Sequence, residues 1–416
     1  MNQNSEVLVS DVCSLIVDCV NRTAPIVEDR TDFRMIRTTN IKGGKIDLST
    51  CRYVDKETFN TWTRRAKVLS GDVLLTREAP IGEVGYVDGL GNVFLGQRIM
   101  QYRPDPTKIE PRYLYYAFCS RDLQNQFRSH EGSGSVVSHI RVADCHTFKI
   151  NLPNRITQKN IAASLGALDD KIENNRRMNE TLEEMARAIF KSWFVDFDPV
   201  HAKAAGNAPA HMDADTAALF PSSFGDDGLP VGWANKTLGD IILPKRGNTI
   251  TKSKTKEGTI PVVAGGLKPA YFHNQSNVEA PVVTISASGA NAGFTRLYNE
   301  NIWASDCSYI SKQLTDTIYF WYVFLKTNQQ KIYHMQQGAA QPHIYPSDLM
   351  RLELTVPNDN KLIQHFENLI SPYFQKISIA QKEAKTLAEL RDTLLPKLMS
   401  GEIRVKDAER VVEAAT

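Results

Sequence analysis

Residues 157–198 read TQKNIAASLGALDDKIENNRRMNETLEEMARAIFKSWFVDFD, and the fold follows from how this stretch is spaced. Ile161, Leu165, Leu168, Ile172, Asn175, Asn179, Leu182, Ala186, Ile189 and Trp193 succeed one another at 4-3-4-3 spacing. That is the seam of a long helix built to lie along another helix. The chain supplies the second helix itself. An offset of 205 carries the seam onto Phe366, Ile370, Tyr373, Ile377, Ala380, Ala384, Leu387, Arg391, Leu394 and Leu398. The spacing predicts two copies of one long helix, packed as a coiled-coil-like pair. Asn175 and Asn179 place amides in the first seam, which costs stability and fixes register. Pro372 and Pro396 fall inside the second copy, so that helix is expected to kink, or to start and stop, near them.

The repeat extends beyond the helices. GSVVSHIRVADCHTFKINLPN (134–154) lies over GAAQPHIYPSDLMRLELTVPN (338–358) at a constant offset of 204. Gly134/Gly338, His139/His343, Ile140/Ile344, Asp144/Asp348, Pro153/Pro357 and Asn154/Asn358 coincide. Short β-branched or alternating runs at 33–41, 72–76, 83–87, 92–99 and 148–152, punctuated by glycines, read as strands. Pro111 suits a first helical position, and one helix is expected from there to about Phe127. Residues 199–228 have the look of a linker or small excursion.

The organisation is globule, helix, globule, helix, in the α+β class: residues 1–154, 155–198, a linker at 199–228, 229–358, 359–402, and a tail at 403–416. Two antiparallel helices of roughly 40 residues span on the order of 60 Å and would relate the globules by a pseudo-two-fold axis. Half-sites on duplex DNA repeat at roughly 34–36 Å, within that reach.

Composition narrows the function classes. With 416 residues, 42% apolar and 23% charged, the chain is long enough for two or more cores and ordinary for a globular protein. No apolar run reaches the roughly 18 residues of a membrane span. The first twenty residues carry Glu6 and Asp11 without a basic leader, so a cytoplasmic location is expected. The net charge of +2 neither demands nor excludes nucleic acid. Six cysteines without a C-x-x-C pair read as structural thiols in a reducing compartment, and no metal site is expected.

Catalytic motifs are missing. An adenine methyltransferase needs an Asn/Asp-Pro-Pro-aromatic loop, and Asp198-Pro199-Val200 lacks both the second proline and the ring. Glu383-Ala384-Lys385 has the letters of a nuclease motif but lies within the heptads, where it is solvated surface. No phosphate-binding G-x-x-x-x-G-K-[ST] loop occurs. Histidines 130, 139 and 146 lack metal-ligand spacing.

In this layout the chain resembles the specificity (S) subunit of type I restriction–modification enzymes over essentially its whole length. The resemblance is carried by Ile161 to Phe197, by LSGDVLLTREAPIGEVGYV at 69–87, by LPVGW at 229–233, and by GAAQPHI at 338–344 before TVPN. It implies that each globule is a target recognition domain reading one half of a split duplex DNA sequence. It also implies that the helix pair sets the gap and docks two methyltransferase (M) subunits, which restriction (R) subunits join. No catalysis and no cofactor are then expected on this chain; S-adenosylmethionine belongs to the methyltransferase partners. A scaffold or adaptor binding proteins through both domains is the alternative.

Phosphate and base contacts need cations and amides on loops. In the first globule Arg37, Asn40, Lys42 and Lys45 flank Gly43-Gly44, Arg64, Arg65 and Lys67 follow Trp62, and Arg77 ends a strand. In the second, Lys245, Arg246, Asn248, Lys252, Lys254 and Lys256 form the densest basic run, with Gln341 in the GAAQPHI turn. For any one of these a solvated charge is the simpler reading; the 245–256 run as a group suits a phosphate-tracking arm. His139 and His343 recur in both halves and read as frame residues. Asp169, Asp170, Glu173, Glu180, Glu183 and Glu184 make the first helix acidic outside its seam. Ile172, Leu182, Phe190, Trp193, Phe194, Phe197, Ile377, Leu387 and Leu394 are candidates for a partner-binding surface, with the aromatic cluster alternatively a joint between helix and domain.

Overall fold

The structure is a computed structural model, and it describes residues 5–130, 139–338 and 342–416. The chain divides into two compact units, Met1–Asn174 with Glu383–Thr416, and Asn175–Lys382. Two helices of 40 residues, Arg155–Phe194 and Lys361–Ser400, each give one half to each unit. All twenty seam positions are buried or half-buried, so the 4-3 spacing is used as expected. In the first unit Asp169 pairs with Arg391 and Lys171 with Glu383, an antiparallel progression.

Of the outcomes expected at its prolines, the second long helix neither starts nor stops there. It runs uninterrupted through Pro372 and Pro396. Both prolines lie on its exposed side, and the carbonyls they leave without a donor belong to exposed Asn368 and Asp392. Water can serve those carbonyls, while the opposite face keeps its seam packing.

In the first unit, Ser5–Leu8 pairs antiparallel with Lys149–Leu152, directly before the long helix. A four-stranded sheet follows in the order Cys13–Asp18, Ile99–Pro104, Val73–Arg77, Ile81–Tyr86. A smaller sheet has Arg34–Ile36 at its centre, antiparallel to Arg52–Tyr53 and parallel to Val93–Leu95. The expected strand at 33–41 is therefore shortened, and a 3₁₀ turn at Thr38–Asn40 ends it. The helix expected from Pro111 to Phe127 is two helices, Pro111–Cys119 and Arg121–Arg128. The chain turns extended at Ser120, whose hydroxyl caps the second helix at Leu123 N, which the apolar spacing did not reveal.

The second unit repeats these three strand arrangements. Trp233–Thr237 pairs with Glu353–Pro357. The four-stranded sheet runs Lys245–Arg246, Cys307–Ser311, Val282–Ser286, Thr295–Tyr298. The small sheet centres on Ile260–Val263, antiparallel to Tyr271–His273 and parallel to Trp303–Ala304. Ile318–Thr327 and Gln329–His334 stand where the first unit has its helix pair. Residues 198–228 include the short helices Asp198–Ala204 and Ala214–Ala218, with Val200 and Phe220 buried in this unit's core.

Candidate nucleic-acid interface

One turn is built the same way in both units. At the end of one inner strand a residue donates its N–H across the sheet, Arg77 to the Arg98 carbonyl at 2.8 Å and Ala287 to the Asp306 carbonyl at 3.2 Å. Its own carbonyl then accepts from the repeated His-Ile segment, at Ile140 N and at Ile344 N, both 2.9 Å. The recurring His-Ile pair thus completes the end of the sheet with its backbone, and both isoleucine side chains are buried. His343 also exchanges both backbone hydrogen bonds with Gln337 and stacks on Tyr345.

The first unit's candidates divide into spent and available side chains. Asn40 is buried, its oxygen accepting from Arg37 N at 2.9 Å and its amide donating to Thr50 Oγ1 at 2.8 Å. Both polar ends of its side chain are spent on holding this turn. Arg37 is half-buried and donates to the Thr50 carbonyl at 2.9 Å. Arg77 is likewise half-buried, donating to the Ile140 carbonyl at 2.9 Å. Lys42 and Lys45 are exposed on the hairpin Ile41–Lys42/Lys45–Ile46. Its tip needs left-handed backbone at both Gly43 (φ 58°) and Gly44 (φ 82°), which glycine adopts at no steric cost. Acidic groups stand against this basic tip: Glu83 accepts from Gly43 N at 2.7 Å, and Glu173 lies 4.0 Å from Lys45. Arg64 and Lys67 are exposed, and Arg65 is exposed but paired with Asp18.

The basic run of the second unit is presented by a tethered loop. Buried Ile250 is gripped at its N–H by Ser305 and at its carbonyl by Tyr271, and Lys256 N bonds His273 Nδ1 at 3.0 Å. Between these anchors a 3₁₀ turn, Lys252–Lys254, holds both lysines exposed. Lys245, Asn248 and Lys256 are exposed as well, whereas Arg246 is bonded to Asp306 at 2.5 Å. Gln341 lies outside the described residues. The two basic elements are not equivalent in topology. The hairpin follows the central strand of the small sheet, and the lysine loop precedes it.

On the long helices, Ile172, Phe190, Trp193, Phe194, Ile377, Leu387 and Leu394 are all buried within the chain's own two cores, with Leu182 and Phe197 half-buried beside them. The aromatic cluster is thus a joint between helix and domain. One edge of it stays reachable: Phe190, Phe194 and Phe197 help line an open groove of about 590 Å³, with Phe320, Phe324, Lys331 and the strand pair. The first unit has a smaller groove, about 360 Å³, between its own strand pair, its helix pair and Met399. Much of the acidic face is used internally, Asp169 by Tyr116 and Arg391, Asp170 by Arg112, and Glu183 by Tyr322.

Among the described residues, no group of three or more His, Cys, Asp or Glu could hold a metal ion. The cysteines are free, and burial pushes the thiols of Cys51 and Cys145 to about 11 and of Cys13, Cys119 and Cys307 to about 12, away from nucleophilic use. Among the described residues, no helix is long and apolar enough to cross a membrane.

The chain that builds this doubled frame matches a known family model. The type I restriction modification DNA specificity domain matches twice, at residues 26–184 and 230–389. The chain belongs to that family. Relatives include the specificity subunit of the type I restriction enzyme MjaIX from Methanocaldococcus jannaschii, 26% identical over 81% of this chain and 78% of the relative. The HindI specificity subunit of Haemophilus influenzae is 27% identical over 81% and 87%. The crystal structure of a type I S subunit from M. genitalium shares the fold, with a TM-score of 0.57 at 19% identity over 95% of this chain and 96% of that one. The two specificity-domain matches each take in one globule and part of one long helix, in step with the internal repeat. Membership supports DNA sequence recognition within a type I restriction–modification system.

Sequence reasoning missed Asp18, Glu78, Arg98, Ser288 and Asp306, which bond to one another or to the candidates above. Most are acidic or neutral, so a search for cations passes over them. Only the strand register reveals that they occupy matched places.

Proposed function

We propose that each globule is a target recognition domain reading one half of a two-part, gapped DNA sequence, and that the long-helix pair sets the gap and docks two methyltransferase subunits. One observation carries this reading: the same strand order and the same His-Ile turn occur twice, with different loops and side chains on each copy. A device that reads two different half-sites needs one frame and two surfaces. The exposed lysines of the 245–256 loop, and Lys42 and Lys45 of the hairpin, supply phosphate contacts in this reading. The groove lined by Phe190, Phe194 and Phe197 offers an apolar floor for a methyltransferase subunit. Restriction subunits join the same assembly. The chain performs no chemistry itself, and S-adenosylmethionine binds to the methyltransferase.

The test is a genome-wide map of methylated adenines in the source strain, with and without this gene. Loss of methylation at one gapped, two-part sequence is the expected result, and it reads out both halves and the gap together. A map that does not change when the gene is removed, in a strain whose partner methyltransferase is active, overturns the reading in favour of a protein adaptor.

A further inference from the structure

The register of the two four-stranded sheets aligns three polar positions whose charges do not repeat. Asp18 stands opposite Met100, itself opposite Leu75; Arg246 stands opposite Ser308, itself opposite Ile285. Positions 18 and 246 are therefore the same place in the frame. So are 98 and 306, whose carbonyls accept the N–H of Arg77 and Ala287. So are 78 and 288, which follow those residues directly. The first unit carries Asp18, Glu78 and Arg98 at these places, and the second carries Arg246, Ser288 and Asp306. Charge is inverted at two of the three.

The backbone around them does repeat. The residue after position 78 or 288 is left-handed in both units, Ala79 at φ 51° and Gly289 at φ 78°. Arg98, unlike its counterpart Asp306, is left-handed too, φ 73°, a conformation that L side chains adopt only under constraint. The side chains at these places form two separate ion pairs in the first unit and one connected network in the second, partly exposed in both. Arg98 Nε lies 3.3 Å from Glu78, and Arg65 pairs with Asp18. Arg246 bonds one Asp306 oxygen at 2.5 Å, and Ser288 donates to the other. Arg98 keeps 50% of its side chain exposed and Arg246 38%, so exposed pairs of this kind contribute little to folding.

We propose that this matched patch is where each domain reads bases, with Arg98 and Arg246 as the reading guanidiniums. A guanidinium held by a carboxylate presents its remaining N–H groups in a fixed direction, which suits the O6 and N7 acceptors of guanine. The carboxylates can in turn accept from a cytosine amino group. Opposite charge at equivalent places gives the two domains different preferences on one backbone. This rests on the half-site reading above.

The experiment expresses the full chain with its methyltransferase partner in a host free of other adenine methylation, and maps the methylated motif for the wild type, Arg98→Gln and Arg246→Gln. The expected result is a two-part motif for the wild type, with Arg98→Gln relaxing preference at a guanine·cytosine pair in one half only and Arg246→Gln doing so in the other half only. Discrimination at the affected position should fall about tenfold to a hundredfold. The untouched half serves as the control for folding and assembly. If Arg98→Gln does not accumulate, Glu78→Gln keeps the guanidinium, removes its support, and should relax the same half. Unchanged motifs, or a uniform fall in methylation at an unchanged motif, overturn the patch while leaving the half-site reading standing. A wild type that methylates no two-part motif overturns both.

Discussion

The two units fasten their long-helix segments with different chemistry. In the first, charged groups reinforce an aliphatic seam: Arg112 grips Asp170, and Asp169 accepts from Tyr116 at 2.7 Å and from Arg391 at 2.7 Å. In the second, aromatic rings do. Phe190, Trp193 and Phe194 pack against Phe320 and Phe366 with ring centroids 5.3–5.9 Å apart, mostly edge to face. Strand order and seam spacing are the same in both. The frame therefore specifies where a join is made and leaves its chemistry open. Charge-assisted bonds fail when one partner goes, while an aromatic join fails by losing volume.

The largest expected effect tests the aromatic join. Phe366→Ala removes a fully buried ring and should cost the second unit about 3–5 kcal/mol. Hydrogen exchange resolved by segment should show lost protection within 175–382 and little change in the first unit. Equal loss in both units would break the comparison.

Acidity offers the next test. Glu367 is buried in the second unit, its carboxylate accepting from Phe320 N at 2.8 Å and Tyr319 N at 3.1 Å. Burial pushes its pKa up to about 7, against the opposing pull of those N–H groups and Lys312. The folded unit then holds the proton more tightly than the unfolded chain. Its contribution to stability is full below about pH 4.5 and is lost as pH rises through about 7. Urea unfolding of the second unit should weaken by about 3 kcal/mol over that window, and Glu367→Gln should flatten the slope. A wild-type profile already flat would remove Glu367 as the cause.

A smaller effect probes the charged join. Arg391 and Asp169 are partly exposed, 18% and 17% at the side chain, so Arg391→Ala should cost the first unit about 2 kcal/mol. That cost should shrink in high salt, unlike the cost of Phe366→Ala. Salt-insensitive loss would show that the arginine's alkyl stem, and not its charge, makes the join.

The smallest effect concerns the seam itself. The side-chain oxygen of Asn179 is buried, and among the described residues it has no hydrogen-bond partner. Asn179→Leu should raise the unfolding free energy by about 1 kcal/mol. If the oxygen has a role in fixing register, the gain will be accompanied by heterogeneous methylation at altered gap lengths.

The seam and the repeat were legible because period 3.5 and a constant offset are one-dimensional signals. The strands at 72–76, 83–87 and 148–152 were legible for the same reason. The helix break at Ser120 was not, since its apolar spacing continues across the break and only the cap betrays the turn. The site was legible in part. Lysines on loops are visible as such, but Asn40 looked equally available and is spent on Thr50 and Arg37.

By itself, then, the chain's residue order determined the doubled plan: two seams in register, two globules, and a recurring His-Ile turn before each long helix. Local spacing suffices for these because each element's apolar period is set within a few turns. The tertiary structure alone decided that the prolines are absorbed on a solvated face and that the helix aromatics turn inward. It also decided that Asp18, Glu78 and Arg98 stand where Arg246, Ser288 and Asp306 stand. Those are matters of which strand lies beside which, and hydrogen-bonded register joins residues dozens of positions apart that no local period connects.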